Sequence, residues 1–452
     1  MIIYHGYTGD AAVYLSSRNL EPGDNVLVKL KDGTVFKGIL MPRPQLYANP
    51  SIIVIKLDNG YNVGISIDKI DSIEKMGRIQ PRTLTPTHYQ REQLSVAMPR
   101  ATLLSTGGTI ASKVDYETGA VTPALRPEEI VEWIPELRDV AVISTREIMS
   151  VFSEDIEPKT WEIIAREAYR EMENGVNGVV VAHGTDTMSY TASALAFGIR
   201  NKPVPIVFVG AQRSSDRPST DAVFNLIAAF TVAVKAPFAE SVVSMHGSTS
   251  DHVNLVHRGV KVRKMHTSRR DAFQSVNDNP LAIVDVITRE IKVTGKIYEY
   301  RGDKNPVLEA KFDDKVALVK VYPGLQQEIL DFLIDKGFHG IVVEGTGLGH
   351  MPNKLIDSVK RSIENGIPVV MTSQCLFGHV NLNVYSTGRR LLEVGVIPAL
   401  DMLPETAYVK LSWILGSMTR DLVEVRKLFT TNLLGEINIR HPLELYPRWF
   451  YE

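Results

Sequence analysis

The sequence predicts an α/β protein in which two parallel-sheet domains follow a small all-β barrel. At 452 residues, the chain is longer than one hydrophobic core usually supports. Residues 23–76 contain closely spaced short strands, whereas apolar strands alternate with helical segments from residue 101 onward. That alternation is typical of a parallel sheet. We therefore expect a barrel at 1–78, a linker at 79–99, and α/β domains at 100–305 and 306–452.

The barrel is predicted from hairpin signals. Asp32-Gly33 and Asn59-Gly60 stand between runs of strand-forming residues, and these dipeptides favour tight hairpin turns. The expected strands are 26–31, 34–40, 51–57 and 61–67. Four or five such strands indicate a barrel of the SH3 or Sm type, which binds peptides, RNA or protein partners. The alternative is a structural appendage that docks on the main body.

The first α/β domain opens with an apolar strand at 101–104 that breaks at Thr106-Gly107-Gly108-Thr109. Adjacent glycines allow backbone conformations that other residues avoid, and they let a ligand approach the main chain. Helices are expected at 127–137, 158–174 and 188–199, with strands at 176–182 and 204–209. The second domain repeats this pattern, with strands at 316–322 and 340–346 and a helix at 326–336.

Composition excludes several classes of protein. The formal net charge is −2, so binding of RNA would need a local basic patch or a partner. Cys375 is the single cysteine, which excludes internal disulfides and fits a reducing compartment. Because we find neither a signal peptide nor an apolar run of membrane-spanning length, we expect a soluble, cytoplasmic protein.

Four polar clusters could carry chemistry: 106–109, 153–155, 183–187 and 263–271. A hydroxyl nucleophile needs a base, and a lysine with a lowered pKa can serve. Thr109, Thr185, Asp186 and Lys264 could therefore form an acyl-transfer site without metal or histidine. The alternatives are a glycine-rich turn, an N-cap at Asp186, and a solvated basic run around Lys264. The turn lacks the Gly-Lys-Ser/Thr ending of a phosphate-binding loop, which disfavours a nucleotide site.

Taken together, the motifs resemble those of the asparaginase/glutaminase family. Thr-Gly-Gly-Thr-Ile-Ala at 106–111 and His-Gly-Thr-Asp-Thr at 183–187 resemble its two signatures. Further resemblances are Ser-Glu-Asp at 153–155, Lys264 with Asp-Ala-Phe at 271–273, Glu-Gly-Thr-Gly-Leu-Gly-His-Met-Pro at 344–352, and Leu-Pro-Glu-Thr-Ala-Tyr-Val-Lys at 403–410. The match runs in the correct order from about residue 101 to residue 440, so the expected fold is that of the family.

The resemblance implies a role for each residue of the site. Thr109 would attack the side-chain carboxamide carbon, and Thr185 with Lys264 would relay protons. Asp186 would contact the substrate ammonium. In substrate binding, Ser153 would hold the α-carboxylate and Glu154 would lie in the amino-group pocket. The Gly108–Thr109 loop and Thr185 would supply N–H groups for the developing oxyanion, and Glu405 would reach the site from a neighbour in a homodimer.

One departure concerns the tyrosine that bacterial members carry on a mobile loop after the first motif. Tyr116 lies too early, and Thr122 falls at about the expected distance. We therefore expect lid closure and activation of the nucleophile to differ here, for instance by depending on a partner.

The long segment before residue 100 resembles one branch of the family, the GatD proteins of archaeal glutamyl-tRNA(Gln) amidotransferases. That resemblance implies release of ammonia from glutamine or asparagine within a heterotetramer. It also implies a GatE-like kinase/transamidase partner that uses ATP and magnesium and makes most contacts with Glu-tRNA(Gln). The family resemblance implies no metal or cofactor in this chain. Two alternatives are a free-standing L-asparaginase with an appended barrel and a non-catalytic RNA-binding or scaffold protein. The residues do not distinguish glutamine from asparagine, which differ by one methylene.

Overall fold

The computed structural model describes residues 3–43, 49–57, 62–78, 98–108, 110, 112–114, 121–123, 126–132, 134–213, 220–440 and 443–446. Most of the segment predicted as a linker, and Thr109 in the glycine-rich turn, lie outside these ranges.

The N-terminal unit is a five-stranded antiparallel sheet in the order β6-β5-β4-β3-β7. Its elements are β1 Ile3–Tyr4, β2 Tyr7–Thr8, α1 Gly9–Ser16, β3 Asp24–Leu30, β4 Val35–Leu40, β5 Ile52–Leu57, β6 Asn62–Ser66 and β7 Ile70–Arg78. Alternate residues of β3 and β5 point into a core of their own, which includes Val26, Val28 and Ile53. Helix α1, which the sequence analysis did not predict, adds Leu15 to that core.

The first α/β unit is built on an eight-stranded sheet in the order β11-β8-β12-β14-β15-β16-β19-β20. Its strands are β8 Arg100–Gly107, β9 Ser112–Val114, β10 Val121–Pro123, β11 Val142–Val151, β12 Gly178–Ala182, β13 Ile199–Arg200, β14 Ile206–Val209, β15 Ser241–His246, β16 Val253–Arg258, β17 Val262–Lys264, β18 Phe273–Ser275, β19 Ala282–Asp285, β20 Ile291–Val293 and β21 Val307–Leu308. Its helices are α2 Pro127–Glu132, α3 Pro158–Glu173, α4 Met188–Gly198 and α5 Ala222–Lys235.

This sheet is mixed rather than purely parallel. Strands β11, β8, β12, β14 and β15 run parallel, whereas β16, β19 and β20 continue the sheet antiparallel. The connection from β15 to β16 covers only residues 247–252. A parallel crossover needs about a dozen residues or more, so the chain can only turn back.

The strand order creates a crevice beside β8. The chain passes from β8 to its neighbour β11 on one side, and it passes from β12 to β14 on the other side. Connections that leave two adjacent strands in opposite directions open a crevice at their carboxyl ends, where α/β proteins bind ligands. The ends of β8 and β12 are Gly107 and Ala182.

The helix expected over residues 127–137 is wrong as a single element. Helix α2 ends at Glu132, and a separate 3₁₀ helix covers Pro135–Asp139. Pro135 has no N–H to donate, and its ring disfavours a helical conformation in the preceding residue. The proline therefore starts a new turn instead of continuing α2.

The second α/β unit contains a parallel sheet in the order β22-β23-β24-β25. Its elements are β22 Val316–Lys320, α6 Glu328–Asp335, β23 Gly340–Gly345, α7 Ile356–Glu364, β24 Val369–Ser373, α8 Ser386–Glu393, β25 Ile397–Pro398, α9 Pro404–Trp413 and α10 Leu422–Thr430. The two α/β units share a hydrophobic core in which the rings of Phe197 and Trp413 stack 5.5 Å apart. Among the helices that the structure describes, none has the length and apolar character needed to cross a membrane.

Candidate active site

The glycine-rich turn after β8 lies against the backbone of the loop after β12. Gly107 and Gly108 have φ angles of +100° and +78°, which side-chain-bearing residues rarely adopt. A Cβ at Gly108 would lie 2.4 Å from the backbone nitrogen of Gly184, and one at Gly107 would lie 2.6 Å from the Val151 carbonyl oxygen. Both conformation and space therefore demand glycine at the two positions. Gly108 brings the turn against the loop after β12, and Gly107 brings it against the end of β11.

The first threonine of this turn has a structural hydrogen bond. Thr106 is buried, and its Oγ1 donates to the carbonyl oxygen of Ala182 at 3.0 Å, which joins the ends of β8 and β12. The second threonine, Thr109, lies outside the described residues, as does Tyr116. Thr122 is in β10.

Lys264, Thr185 and Asp186 meet at the end of β12. Lys264 Nζ donates to Thr185 Oγ1 at 2.8 Å and to Asp186 Oδ1 at 2.7 Å. Only 13% of the Lys264 side chain is exposed, compared with 66% of the Asp186 side chain. Lys264 ends β17, which pairs with β18 and places Lys264 opposite the buried Phe273. The alternative of a solvated basic run is therefore wrong for Lys264.

The hydroxyl of Thr187 fixes the loop after β12 to the loop after β11. Thr187 is the N-cap residue of α4, but its Oγ1 donates to the carbonyl oxygen of Ser153 at 2.7 Å. Asp186 does not occupy the N-cap position, and its carboxylate accepts from Lys264. The structure thus leaves the Asp186 carboxylate at the crevice rather than in a helix cap.

Ser153 lies directly beside Gly184. It begins a short 3₁₀ helix, Ser153–Asp155, and is buried, whereas Glu154 is exposed. A Cβ at Gly184 would lie 2.6 Å from Ser153 Cβ and 2.9 Å from its Oγ. Helix α3 is capped by Glu157 and Thr160, so residues 153–155 do not cap it.

His183 stabilises the loop and has no acid–base role at neutral pH. It is fully buried, and its Nδ1 donates to the carbonyl oxygen of Gly184 at 2.7 Å. Burial lowers the pKa of His183 from 6.5 to about 4, because a charged imidazole would lose its hydration. The ring is therefore neutral near pH 7.

Glu405 contacts Arg263, the residue directly before Lys264. It is in the first turn of α9, it is buried, and its Oε1 is 3.1 Å from Arg263 Nη1. Burial raises the pKa of Glu405, Arg263 opposes that shift, and the nearby Glu344 reinforces it. The expected contribution of Glu405 to a neighbouring subunit stays a prediction.

Gly210 and Asn225, which the sequence analysis did not single out, pack beneath the loop that carries His183 and Thr185. A Cβ at Gly210 would lie 2.9 Å from Thr185 Cγ2 and 2.8 Å from the His183 carbonyl oxygen. Asn225 donates from Nδ2 to the Gly210 carbonyl oxygen at 3.0 Å. The sequence does carry one signal for Gly210: this glycine directly follows the buried strand β14, much as His183-Gly184 follows the buried strand β12. Across the described ranges, no group of three or more His, Cys, Asp or Glu side chains is placed to hold a metal ion.

Family models match almost the whole chain. The N-terminal asparaginase model covers residues 100–297, the C-terminal glutaminase/asparaginase domain covers 315–429, and the GatD N-terminal domain covers 20–76. The chain therefore belongs to the asparaginase family, in the group that carries a GatD N-terminal domain.

Among its relatives are the D subunits of glutamyl-tRNA(Gln) amidotransferases from several organisms. The one from Thermofilum pendens is 53% identical, covering 98% of this chain and 99% of the relative. The one from Pyrococcus abyssi is 51% identical, covering 96% of this chain and 99% of the relative. A solved structure, the thermostable L-asparaginase from Thermococcus kodakarensis, is 38% identical with a TM-score of 0.68, covering 75% of this chain and 99% of that chain. L-asparaginase I from Vibrio cholerae is 27% identical with a TM-score of 0.67, covering 76% and 100%.

Proposed function

We propose that this chain is the ammonia-generating amidohydrolase subunit of a tRNA-dependent amidotransferase that converts Glu-tRNA(Gln) to Gln-tRNA(Gln). The observation that carries the proposal is the contact of Lys264 with Thr185 and Asp186 beside the glycine-rich turn. Two relatives of this kind align over nearly the full chain, including the N-terminal unit that precedes the asparaginase body.

The chemistry is an acyl transfer to a threonine. The Thr109 hydroxyl oxygen attacks the side-chain carboxamide carbon of glutamine or asparagine and loses its proton to the Lys264–Thr185 pair. That pair returns the proton to the leaving nitrogen, so ammonia departs and an ester to Thr109 remains. Water then hydrolyses the ester and frees glutamate or aspartate. General acid–base catalysis of this kind contributes about 10²–10⁴ in rate.

The surrounding groups hold the substrate. Asp186 is exposed enough to meet the substrate's α-ammonium while it accepts from Lys264. The α-carboxylate would be bound by Ser153, and Glu154 on the same loop would face the amino group. The oxyanion would be met by N–H groups of the Gly108–Thr109 loop and of Thr185. The loss of one such donor typically costs about 10²–10³ in rate.

The remaining components of the reaction would come from a partner. A GatE-like subunit would use ATP and magnesium to activate the glutamate on the tRNA, and it would make most of the tRNA contacts. A formal net charge of −2 agrees with that division, because affinity for nucleic acid depends mainly on neutralising phosphates. We further propose that the chain is a cytoplasmic homodimer and that its N-terminal unit helps to hold the partner.

The test measures ammonia release from glutamine and from asparagine, with and without the partner subunit and Glu-tRNA(Gln). We expect release to depend on both, and Thr109→Ala and Lys264→Ala to abolish it. Rapid hydrolysis of asparagine by the chain alone would instead favour a free-standing asparaginase, to which the 38% identity with the Thermococcus kodakarensis enzyme gives some support. No ammonia under any condition would favour a scaffold protein.

A further inference from the structure

The strand that carries Lys264 is held by the second α/β unit. Thr406 Oγ1 donates to the Val260 carbonyl oxygen at 2.9 Å. The ammonium of Lys261 lies 2.7 Å from Asp401 Oδ2, in an ion pair whose two side chains are buried. The third contact joins Arg263 and Glu405. Residues 401–406, which span the start of α9, therefore contact residues 260–263 at three points. These contacts come directly before Lys264 in the chain.

The contact between Lys261 and Asp401 is firmly held. Asp401 also accepts from the backbone N–H of Asn438 at 2.9 Å and from its side-chain Nδ2 at 2.8 Å. A buried ion pair with its remaining hydrogen bonds satisfied holds one geometry, because any movement leaves a buried charge unpaired.

The third contact is less constrained. Arg263 is partly exposed, and Glu405 Oε2 is buried without a hydrogen-bond partner. The carboxylate is therefore joined to the strand by one oxygen only. Since the pKa of Glu405 is raised by burial, the charge that attracts Arg263 is itself destabilised.

Strand geometry links this contact to the catalytic lysine. Successive side chains of a strand point to opposite faces, so Arg263 and Lys264 extend from β17 in opposite directions. A displacement of Arg263 would therefore tilt the strand and move Lys264 Nζ, which lies within hydrogen-bond distance of Thr185 and Asp186. A misplacement of about 1 Å in a catalytic group can cost roughly 10² in rate.

We propose that Glu405 acts within its own chain as a positioning residue, holding Arg263 so that Lys264 stays in contact with Thr185. This inference rests on the proposed role of Lys264 in proton transfer. It also gives the second α/β unit a role in the catalysis of the same chain, through the single contact of Glu405 with Arg263.

The first experiment is a double-mutant cycle with Glu405→Gln, Arg263→Gln and the double variant, assayed with partner subunit and Glu-tRNA(Gln). We expect each single change to lower kcat about tenfold with KM unchanged, because the substrate-binding groups are untouched. The double variant should be no slower than the slower single variant. Arg263 is partly exposed, so its variant remains informative if Glu405→Gln does not fold.

A matched control is available on the same helix. Lys410 of α9 pairs with Glu436 at 2.6 Å, and both side chains are fully buried. Glu436→Gln should lower the melting temperature but leave kcat unchanged. The inference is overturned if Glu436→Gln lowers kcat as much as Glu405→Gln does, or if Glu405→Gln raises KM while kcat stays constant.

A second experiment asks whether Glu405 acts in its own chain or in a neighbour. Chains with Lys264→Ala are mixed with chains carrying Glu405→Gln, under conditions that exchange subunits. An effect within one chain predicts that the mixture has no more activity than the two variants assayed separately. Recovery of activity would mean that an intact Glu405 serves the neighbouring site, which overturns the inference. Full activity of Lys264→Ala alone would instead overturn the proposed function.

Discussion

Thr106 and Thr109 stand in one glycine-rich turn, yet only Thr109 is proposed to do chemistry. The hydroxyl of Thr106 is committed to a buried hydrogen bond with the Ala182 carbonyl oxygen. A similar division holds after β12, where Thr185 accepts from Lys264 and Thr187 donates to Ser153. At each turn, the structure commits one hydroxyl, that of Thr106 or Thr187, to joining loops, and the proposed catalytic role falls to the other threonine.

Replacing Thr185 by valine tests this division. The change keeps the shape of the side chain and removes the oxygen that Lys264 contacts, so we expect kcat to fall by about 10²–10⁴. Thr106→Val is the matched control, since it loses a buried hydrogen bond worth about 1 kcal/mol and should retain most activity. Ammonia release and thermal melting measure the two effects. Equal losses of activity would contradict the assignment.

Two buried histidines predict how stability depends on pH. Burial lowers the pKa of His183 to about 4 and that of His257 to about 3, whereas an unfolded histidine titrates near 6.5. Below pH 6.5 these two histidines bind protons in the unfolded chain but stay neutral in the folded chain. The free energy of unfolding therefore falls as the pH drops from 6.5 towards 4. For His183 the resulting loss in the free energy of unfolding is on the order of 3 kcal/mol.

His257→Leu provides the measurement. It removes one of the two groups, so its melting temperature should fall less steeply between pH 6.5 and 4 than that of the wild type. Above pH 6.5 the two curves should run parallel, because both histidines are then neutral in either state. The same slope in both proteins below pH 6.5 would contradict the attribution to His257.

At the scale of elements, the site depends on how strand ends are arranged. Strands β11, β8 and β12 are parallel neighbours, so the loops after them meet at one edge of the sheet. Lys264 arrives from a separate hairpin, β17–β18. Glycine at 107, 108 and 184 lets these loops approach within contact distance of each other's backbone.

Gly108→Ala should disrupt this convergence. The new methyl group would lie 2.4 Å from the Gly184 nitrogen in a backbone conformation that alanine disfavours, so we expect a large loss of both stability and activity. Gly175→Ala is the control. Gly175 also has a positive φ of +72°, but the nearest atom to a Cβ there is an Arg100 side-chain nitrogen at 3.7 Å. Its cost should be only about 1–2 kcal/mol, with activity retained. Melting temperature and ammonia release distinguish the two variants.

At the scale of the whole molecule, the N-terminal unit and the asparaginase body differ in how they are stabilised. The N-terminal unit has a hydrophobic core of its own, centred on Val28 and Ile55. The two α/β units instead share a core that includes Phe197 and Trp413. The α/β units therefore depend on each other for stability, and the boundaries 1–78, 79–99, 100–305 and 306–452 stay a prediction.

Deleting residues 1–97 tests the proposed task of the N-terminal unit. We expect the remaining body to fold around its own cores and to bind the partner subunit at least tenfold more weakly, because contacts supplied by the deleted unit are lost. Ammonia release at saturating partner should stay within a few-fold of the full chain. Partner affinity is measured by titration and folding by thermal melting. Unchanged affinity would contradict the proposal that this unit holds the partner.

Local chemistry made much of this protein predictable. The hairpin dipeptides predicted the antiparallel N-terminal unit, and the broken strands at 101–109 and 176–187 predicted the two loops of the crevice, because turn residues and apolar runs act over a few positions. The motifs also predicted that Thr109, Thr185, Asp186 and Lys264 carry the chemistry, and that assignment stays a prediction.

Tertiary structure decided what depends on distance. The pairing of Lys264 with Thr185, 79 positions away, was implied only by the family resemblance, and nothing in the sequence indicated that Glu405 contacts Arg263. The antiparallel half of the main sheet and the bond from Thr106 to Ala182 were hidden for the same reason. These contacts arise from the free energy of packing distant segments together, which no local pattern records. The sequence thus predicts the chemistry of the glycine-rich turn, whereas only the fold shows Lys264 in contact with Thr185 and Asp186.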